Sequence, residues 1–351
     1  MKRIKVKDAM GKKLAHDITK IIPGKFKDAV FKHGQTIGEE DVDELLNLGE
    51  DEVFILEGNE EDIHEDDAGL IIAQKASGDG LKAVNKNEAW IDVVAVEPGM
   101  FKVEKNVLNM LNMIDEVIFA TLPSYVMVEK NRTVAKVKIR PLYISKEKLG
   151  SILQVTKKHG KAIHIQKINN LKIGLIIAST EVFNGRIKDG FHDLIKSKMD
   201  EYGLEVDEKI ILPDNAEKIS DEIINFKNNG MDLILVTGGM SVDPCDTTPE
   251  GIEKSGAKTV SYGMPFSPGA MLMLAYLDST PVIGIPSGVL FRKRSSFDVI
   301  LPHILIGEKL NKEDIRSLGE GGLCWNCREC HFPVCTFGKQ EGRRDVPVPI
   351  K

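Results

Sequence analysis

From residue 171 onward, short apolar runs alternate with amphipathic stretches. The runs at 172–178, 206–212, 233–236, 272–277 and 281–285 predict strands, the first and third with hardly a polar position, as strands buried on both faces have. Between them, apolar residues recur three and four apart at 188–202 and 216–228, the spacing of a helix with one buried side. A last helix over 294–306 would turn Phe297, Val299, Ile300, Leu301 and Ile304 to the sheet, with Pro302 kinking it or lying near its end. Residues 261–271, rich in glycine and proline, read as a loop. Regular strand–helix alternation predicts an α/β class, a three-layer α/β/α domain with a mostly parallel sheet, over residues 166–310.

The pattern before residue 166 is less regular. Within 1–60, the run after Gly38 places Val42, Leu45, Leu46 and Leu48 on one helical side, acidic residues in its first turn and Gly49 as its stop. A strand follows at 53–56, and the acidic stretch 57–67 reads as a linker. Residues 61–165 then suggest a small α+β unit, with helices at 66–76 and 106–113 and strands at 90–96, 117–120, 125–128 and 133–139. The change of pattern puts a boundary between Ile144 and Ile168, and residues 311–351 form a Cys-rich tail.

Composition narrows the function classes. At 351 residues the chain suits two or three domains of roughly 150 residues each. Its 47 Lys and Arg against 53 Asp and Glu are interspersed, so nothing marks a nucleic-acid or anionic-membrane surface. No apolar run has the length of a membrane span, and the charged start MKRIKVKDAM is unlike a secretory signal, so a cytoplasmic protein is expected. Of the five cysteines, four cluster at 324–335, unlike a disulfide framework spread through a secreted domain.

Candidate chemistry gathers at the strand ends. In a parallel sheet the carboxyl ends share one edge, so Ser179-Thr180-Glu181, Asp214-Asn215, Thr237-Gly238-Gly239-Met-Ser241 and Pro286-Ser287-Gly288 converge on one crevice. Glycine turns that expose N–H groups, with hydroxyls beside them, suit a phosphorylated small molecule. Asp214, Asp243 and Asp246 would repel phosphate unless a hard cation such as Mg²⁺ bridges the two. Alternatively, Asp243 and Asp246 cap the helix that starts near Pro249.

The segment TGGMSVDPCDTTPE at 237–250 resembles the signature loop of the molybdopterin-binding domain shared by molybdenum-cofactor biosynthesis proteins. Gly239-Met-Ser241-Val242 is similar to the molybdopterin molybdotransferase branch, and Asp246-Thr-Thr-Pro249-Glu250 to the adenylyltransferase branch. STE at 179–181, PDN at 213–215, MPFSPGAM and IPSG extend the resemblance over 171–306, while DAMGKKLAHDI and the segment after His33 resemble the molybdotransferase amino-terminal region. The resemblance implies a bound molybdopterin or adenylyl-molybdopterin. Ser179, Thr180, Glu181, Thr237, Gly238, Gly239, Ser241, Pro249, Glu250, Pro286, Ser287 and Gly288 would bind it, with Asp214 and Asp246 as catalytic carboxylates. It also implies Mg²⁺, a homo-oligomer and a molybdoenzyme as downstream partner. This chain departs from the family where TGDE becomes Ser179-Thr180-Glu181 and PGNP becomes Pro286-Ser287-Gly288-Val289, and where a thiol tail replaces the small β-rich domain. Molybdate insertion, a non-catalytic pterin carrier or regulatory module, and a nucleotide pyrophosphatase all remain open.

The tail carries Cys324, Cys327, Cys330 and Cys335, enough thiolates for a zinc ion or an iron–sulfur cluster, with His331 as a substitute ligand and unligated thiols as the alternative. Cys245, with no base beside it in sequence, reads as a packing residue.

Overall fold

A computed structural model describes residues 2–22, 25–56, 62–87, 90–140, 142–241, 243 and 246–339. The Pro23-Gly24 turn, the start of the acidic linker and Cys245 lie outside the described residues. The chain divides into two compact units, Met1–Leu122 with Val128–Ile165, and Pro123–Met127 with Gln166 onward.

In the first unit, the strand Lys2–Lys5 pairs antiparallel with Glu52–Ile55, and the helix Glu39–Asn47 lays Leu45 into a core with Val6, Leu14, Phe31 and Val53. A hairpin of Ile18–Ile22 with Phe26–Phe31 contains a strand the sequence pattern did not predict. A four-stranded antiparallel sheet runs in the order Leu81–Asn87, Trp90–Ala95, Thr133–Ile139, Val117–Thr121. The helix Glu65–Ala76 turns Ala68, Ile72, Ala73 and Ala76 inward.

Burial pushes the Glu65 carboxyl up to about 7, against a smaller opposing effect of Lys138. The folded chain therefore holds this proton more tightly than an unfolded carboxyl of pKa 4.5 does. Stability falls as pH rises from about 4.5 to about 7, and the penalty is complete above that. Glu65→Gln is expected to flatten this part of the profile. Thermal midpoints of both proteins at pH 5 and pH 8 check it, and parallel profiles would remove Glu65 from the account.

The second unit is built on a six-stranded sheet, whose strands are numbered from its start. They are β1 (Ile173–Ala178), β2 (Glu208–Leu212), β3 (Leu233–Thr237), β4 (Lys258–Tyr262), β5 (Met273–Leu277) and β6 (Thr280–Ile285). Their order is β2-β1-β3-β6-β5-β4. The first four in that order are parallel, and β5 and β4 follow antiparallel. Alternate residues of each central strand enter opposite cores, so Ile173, Leu175 and Ile177 face one way and Ile176 and Ala178 the other. One core is covered by α2 (Phe191–Asp200) and α5 (Ser296–Leu305), the other by α3 (Ala216–Asn228) and α4 (Thr248–Lys254). These three layers are the mixed α/β arrangement that strand–helix alternation predicts. Strand β4 is a departure, since its first residues fell outside every predicted element and its last two within a predicted loop. It lies at the sheet edge, and only Ser261 of its five residues is buried, so no apolar run marks it. Pro302 sits inside α5 near its end.

Candidate functional site

The sheet changes direction of winding at β1 and β3. From β1 the chain crosses to β2 on one side, whereas β3 stands on the other, which opens a crevice at the carboxyl ends where α/β sheets bind ligands. Each tip is shaped by a hydrogen bond between a side chain and a backbone group. Ser179 caps the short helix α1 (Thr180–Phe183), its Oγ accepting from Val182 N–H and donating to Glu181 Oε2 at 3.0 Å. The backbone N–H of Glu181, then the Ser179 hydroxyl, hold its carboxyl below the usual range.

The tips of β1 and β2 are joined reciprocally. Thr180 N–H donates to Asp214 Oδ2 at 2.8 Å, and Asp214 N–H donates to Thr180 Oγ1 at 3.0 Å. Asn215 caps α3, accepting from Lys218 N–H at 2.9 Å. The tip of β3 presses directly on β1. Gly238 has φ +90°, and a Cβ there would lie 1.8 Å from the Ala178 carbonyl oxygen. At Gly239, φ +52°, a Cβ would meet Asp214 Oδ1 and Thr248 Oγ1 at 3.2 Å. Only glycine allows both the left-handed turn and this approach. Thus Ser179, Thr180, Asp214, Gly238 and Gly239 do come together, from three strand ends.

The loop after β3 folds back on itself. Asp246 Oδ2 accepts from Ser241 N–H at 2.9 Å, and Asp246 N–H donates to the Asp243 carbonyl at 2.9 Å. Neither carboxylate caps α4. Thr247 occupies the cap position without a side-chain bond, which corrects the capping alternative for Asp243 and Asp246, because the Asp246 side chain points back to Ser241. Thr248 Oγ1 donates to the Gly238 carbonyl at 2.7 Å, and Thr237 Oγ1 to the Ile285 carbonyl at 3.3 Å, which ties the tip to the end of β6. There Pro286, Ser287 and Gly288 begin a 3₁₀ turn, Ser287–Leu290. Pro249 opens α4, while the Glu250 carboxylate is engaged 3.0 Å from Lys254 Nζ.

Two groups stand outside the binding residues expected from the sequence, one of them, Thr247, in the expected ligand-binding loop. The Thr247 Oγ1 is buried with no partner among the described residues, and the backbone N of the same residue lies 3.5 Å from where a Cβ on Gly239 would be. The Tyr262 hydroxyl stands 3.1 Å from the Ser241 carbonyl and 3.2 Å from that of Met240, and burial, then Asp246, raise its pKa. The TTPE string offered a signal for Thr247; nothing local offered one for Tyr262. Among the described residues, no three His, Cys, Asp or Glu side chains gather as a ready metal site, here or in the tail. No described helix is long and apolar enough to cross a membrane.

A family model described as "Probable molybdopterin binding domain" matches residues 174–305, and a domain of unknown function matches residues 3–57. A molybdopterin molybdenumtransferase of Synechococcus elongatus is 27% identical over 115 residues, covering 30% of this chain and 28% of that protein. A CinA-like protein of Fusobacterium nucleatum is 30% identical over 84 residues, covering 24% of this chain and 21% of that protein. The chain thus spans less than a third of the length of these relatives. Among solved structures, the molybdopterin biosynthesis enzyme MoaB of Thermus thermophilus aligns at 19% identity and TM-score 0.31, over 38% of this chain and 91% of its own. The tungsten cofactor synthesizing protein MoaB of Pyrococcus furiosus aligns at 18% and 0.32, over 39% and 96%.

Proposed function

We propose, from the match of residues 174–305 to the family model of a probable molybdopterin binding domain, that this chain holds molybdopterin or adenylyl-molybdopterin at the β1–β3 crevice. The observation that carries the reading is the buried, unpartnered hydroxyl of Thr247, a residue whose backbone N lies against the glycine turn at Gly239. A buried polar atom without a partner costs about 1–3 kcal/mol, which a ligand phosphate or pterin group offsets. Thr180, Ser241 and Ser287 offer further donors around the same sheet edge, in a protein we place in the cytoplasm as a homo-oligomer.

In the catalytic form of this proposal, Asp214 and Asp246 would be the residues that hold a Mg²⁺, which would supply charge neutralisation for the ligand phosphate in molybdate insertion. Two carboxylates plus phosphate and water suit Mg²⁺, which seldom takes an all-protein cage. A specific observation favours the carrier instead. Both carboxylates already accept a backbone N–H bond through Oδ2, Asp214 from Thr180 and Asp246 from Ser241, so each has a role in shaping its loop that needs no cation. A carrier would bind the pterin and pass it on to a molybdoenzyme. Incubation with purified molybdopterin, ATP, Mg²⁺ and molybdate separates them: AMP release with molybdenum uptake supports the enzyme, and binding alone supports the carrier.

Asp246→Ala leaves the Ser241 N–H without its acceptor and frees the loop. Pterin binding, followed by fluorescence titration, is expected to weaken by about tenfold, the value of one charged hydrogen bond. The thermal midpoint should stay close to wild type, because this part of the loop is exposed. Unchanged affinity would remove Asp246 from the site.

A further inference from the structure

The thiols of the tail are not among the residues proposed for the pterin crevice. We propose that Cys324, Cys327, Cys330 and Cys335 together ligate a thiophilic metal centre, a zinc ion or an iron–sulfur cluster, in the cavity beneath the tail. All four line one cavity of about 410 Å³. The loop that carries them is fastened at both ends: Cys324 N–H donates to the Ser267 carbonyl at 2.9 Å, Ser267 N–H to that of Gly322 at 2.8 Å, and Gly338 N–H to that of Gly321 at 3.0 Å. Phe337 closes the far end, 2% exposed and edge-on to Phe266. Between these fastenings, residues 324–336 form no helix or strand. Loops of that length without structure of their own are uncommon and usually functional.

Apolar contact holds only part of this loop. Phe332 and Phe337 pack against the domain core beside Cys324 and Cys335, while Leu323, Trp325 and Val334 are 73%, 81% and 81% exposed. Cys324, Cys330 and Cys335 are half-buried and Cys327 is exposed.

Charge supplies an independent sign. The Lys339 ammonium, four residues after Cys335, is buried with no hydrogen-bond partner among the described residues. Arg292 and Lys293 line the same cavity. A buried cation without a counter-charge is costly, and four thiolates around a divalent metal carry a net charge of about −2 that answers it. The thiols do not yet converge as a metal site. Zinc requires about 2.3 Å to each sulfur, so the loop draws in as the metal binds and the four thiols release their protons.

The test is elemental analysis of the full chain purified without oxygen, with acid-labile sulfide measured alongside. Zinc alone, or iron with an equal amount of sulfide, supports the proposal and tells the two apart. In the wild-type protein, a mercurial should release the metal in step with the titration of these thiols. Serine at any of the four positions is expected to lose the metal, with circular dichroism confirming the fold, while Cys245→Ser and His331→Ala retain it. Absence of metal after isolation and after reconstitution with zinc, or with iron and sulfide, overturns the proposal. So does full retention in the four-serine variant, or loss in His331→Ala.

Discussion

Gly238→Ala is expected to destabilise the α/β unit and to abolish pterin binding. The residue sits at φ +90°, and holding a side chain in such a sparsely populated conformation costs about 1–3 kcal/mol by itself. The clash adds to this. A Cβ would lie 1.8 Å from the carbonyl oxygen of Ala178, a backbone atom at the end of β1 that no rotamer change can move. Relief requires β1 and β3 to separate at their carboxyl ends, where the proposed ligand sits. Gly239→Ala is the informative neighbour, because the tight contacts of its Cβ would be with the side-chain atoms Asp214 Oδ1 and Thr248 Oγ1, at 3.2 Å, and the backbone N of Thr247 would stand at an ordinary 3.5 Å. Its stability cost should be clearly smaller. Denaturant unfolding of both variants, with pterin titration in parallel, checks the order, and equal costs would show that the Ala178 contact is not what constrains the turn.

Asp298→Ala should be the most destabilising substitution away from the crevice. Its carboxylate, with a side chain 3% exposed, accepts from Lys198 Nζ at 2.5 Å and from Arg294 at 3.0 Å through one oxygen. The other accepts from Ser295 N–H at 2.7 Å, which starts α5. Truncation leaves a buried ammonium, 5% exposed, without its counter-charge, a change that typically costs about 3–5 kcal/mol. Lys198→Met should cost much less, because Asp298 keeps Arg294 and Ser295. Thermal unfolding read by circular dichroism compares the two. A Lys198 variant as damaged as the Asp298 variant would show that Arg294 is no substitute.

Much of the α/β unit was legible because its central strands are buried on both faces. Leu233 to Val236 and the run ending at Ala178 read as strands from apolarity alone, and the glycine pair after Thr237 marked the turn. Strand β4 and the hairpin strand Phe26–Phe31 were missed for the opposite reason. Each has exposed positions, so pairing partners rather than apolar side chains define it. Of the tip residues expected at one edge, Ser179, Thr180, Asp214, Gly238 and Gly239 meet, yet their bonds were not readable.

By itself, then, the sequence determined which segments cross the core, in what alternation, and which polar residues end the strands. These follow from side-chain burial, which leaves a periodic trace along the chain. Only the tertiary structure decided that Thr180 and Asp214, 34 residues apart, exchange two hydrogen bonds. It also decided that Asp246 turns to Ser241 instead of capping α4, and that Thr247 is left with a buried hydroxyl. Those outcomes depend on strand order and register, which set the backbone group each side chain meets and leave no period in the sequence.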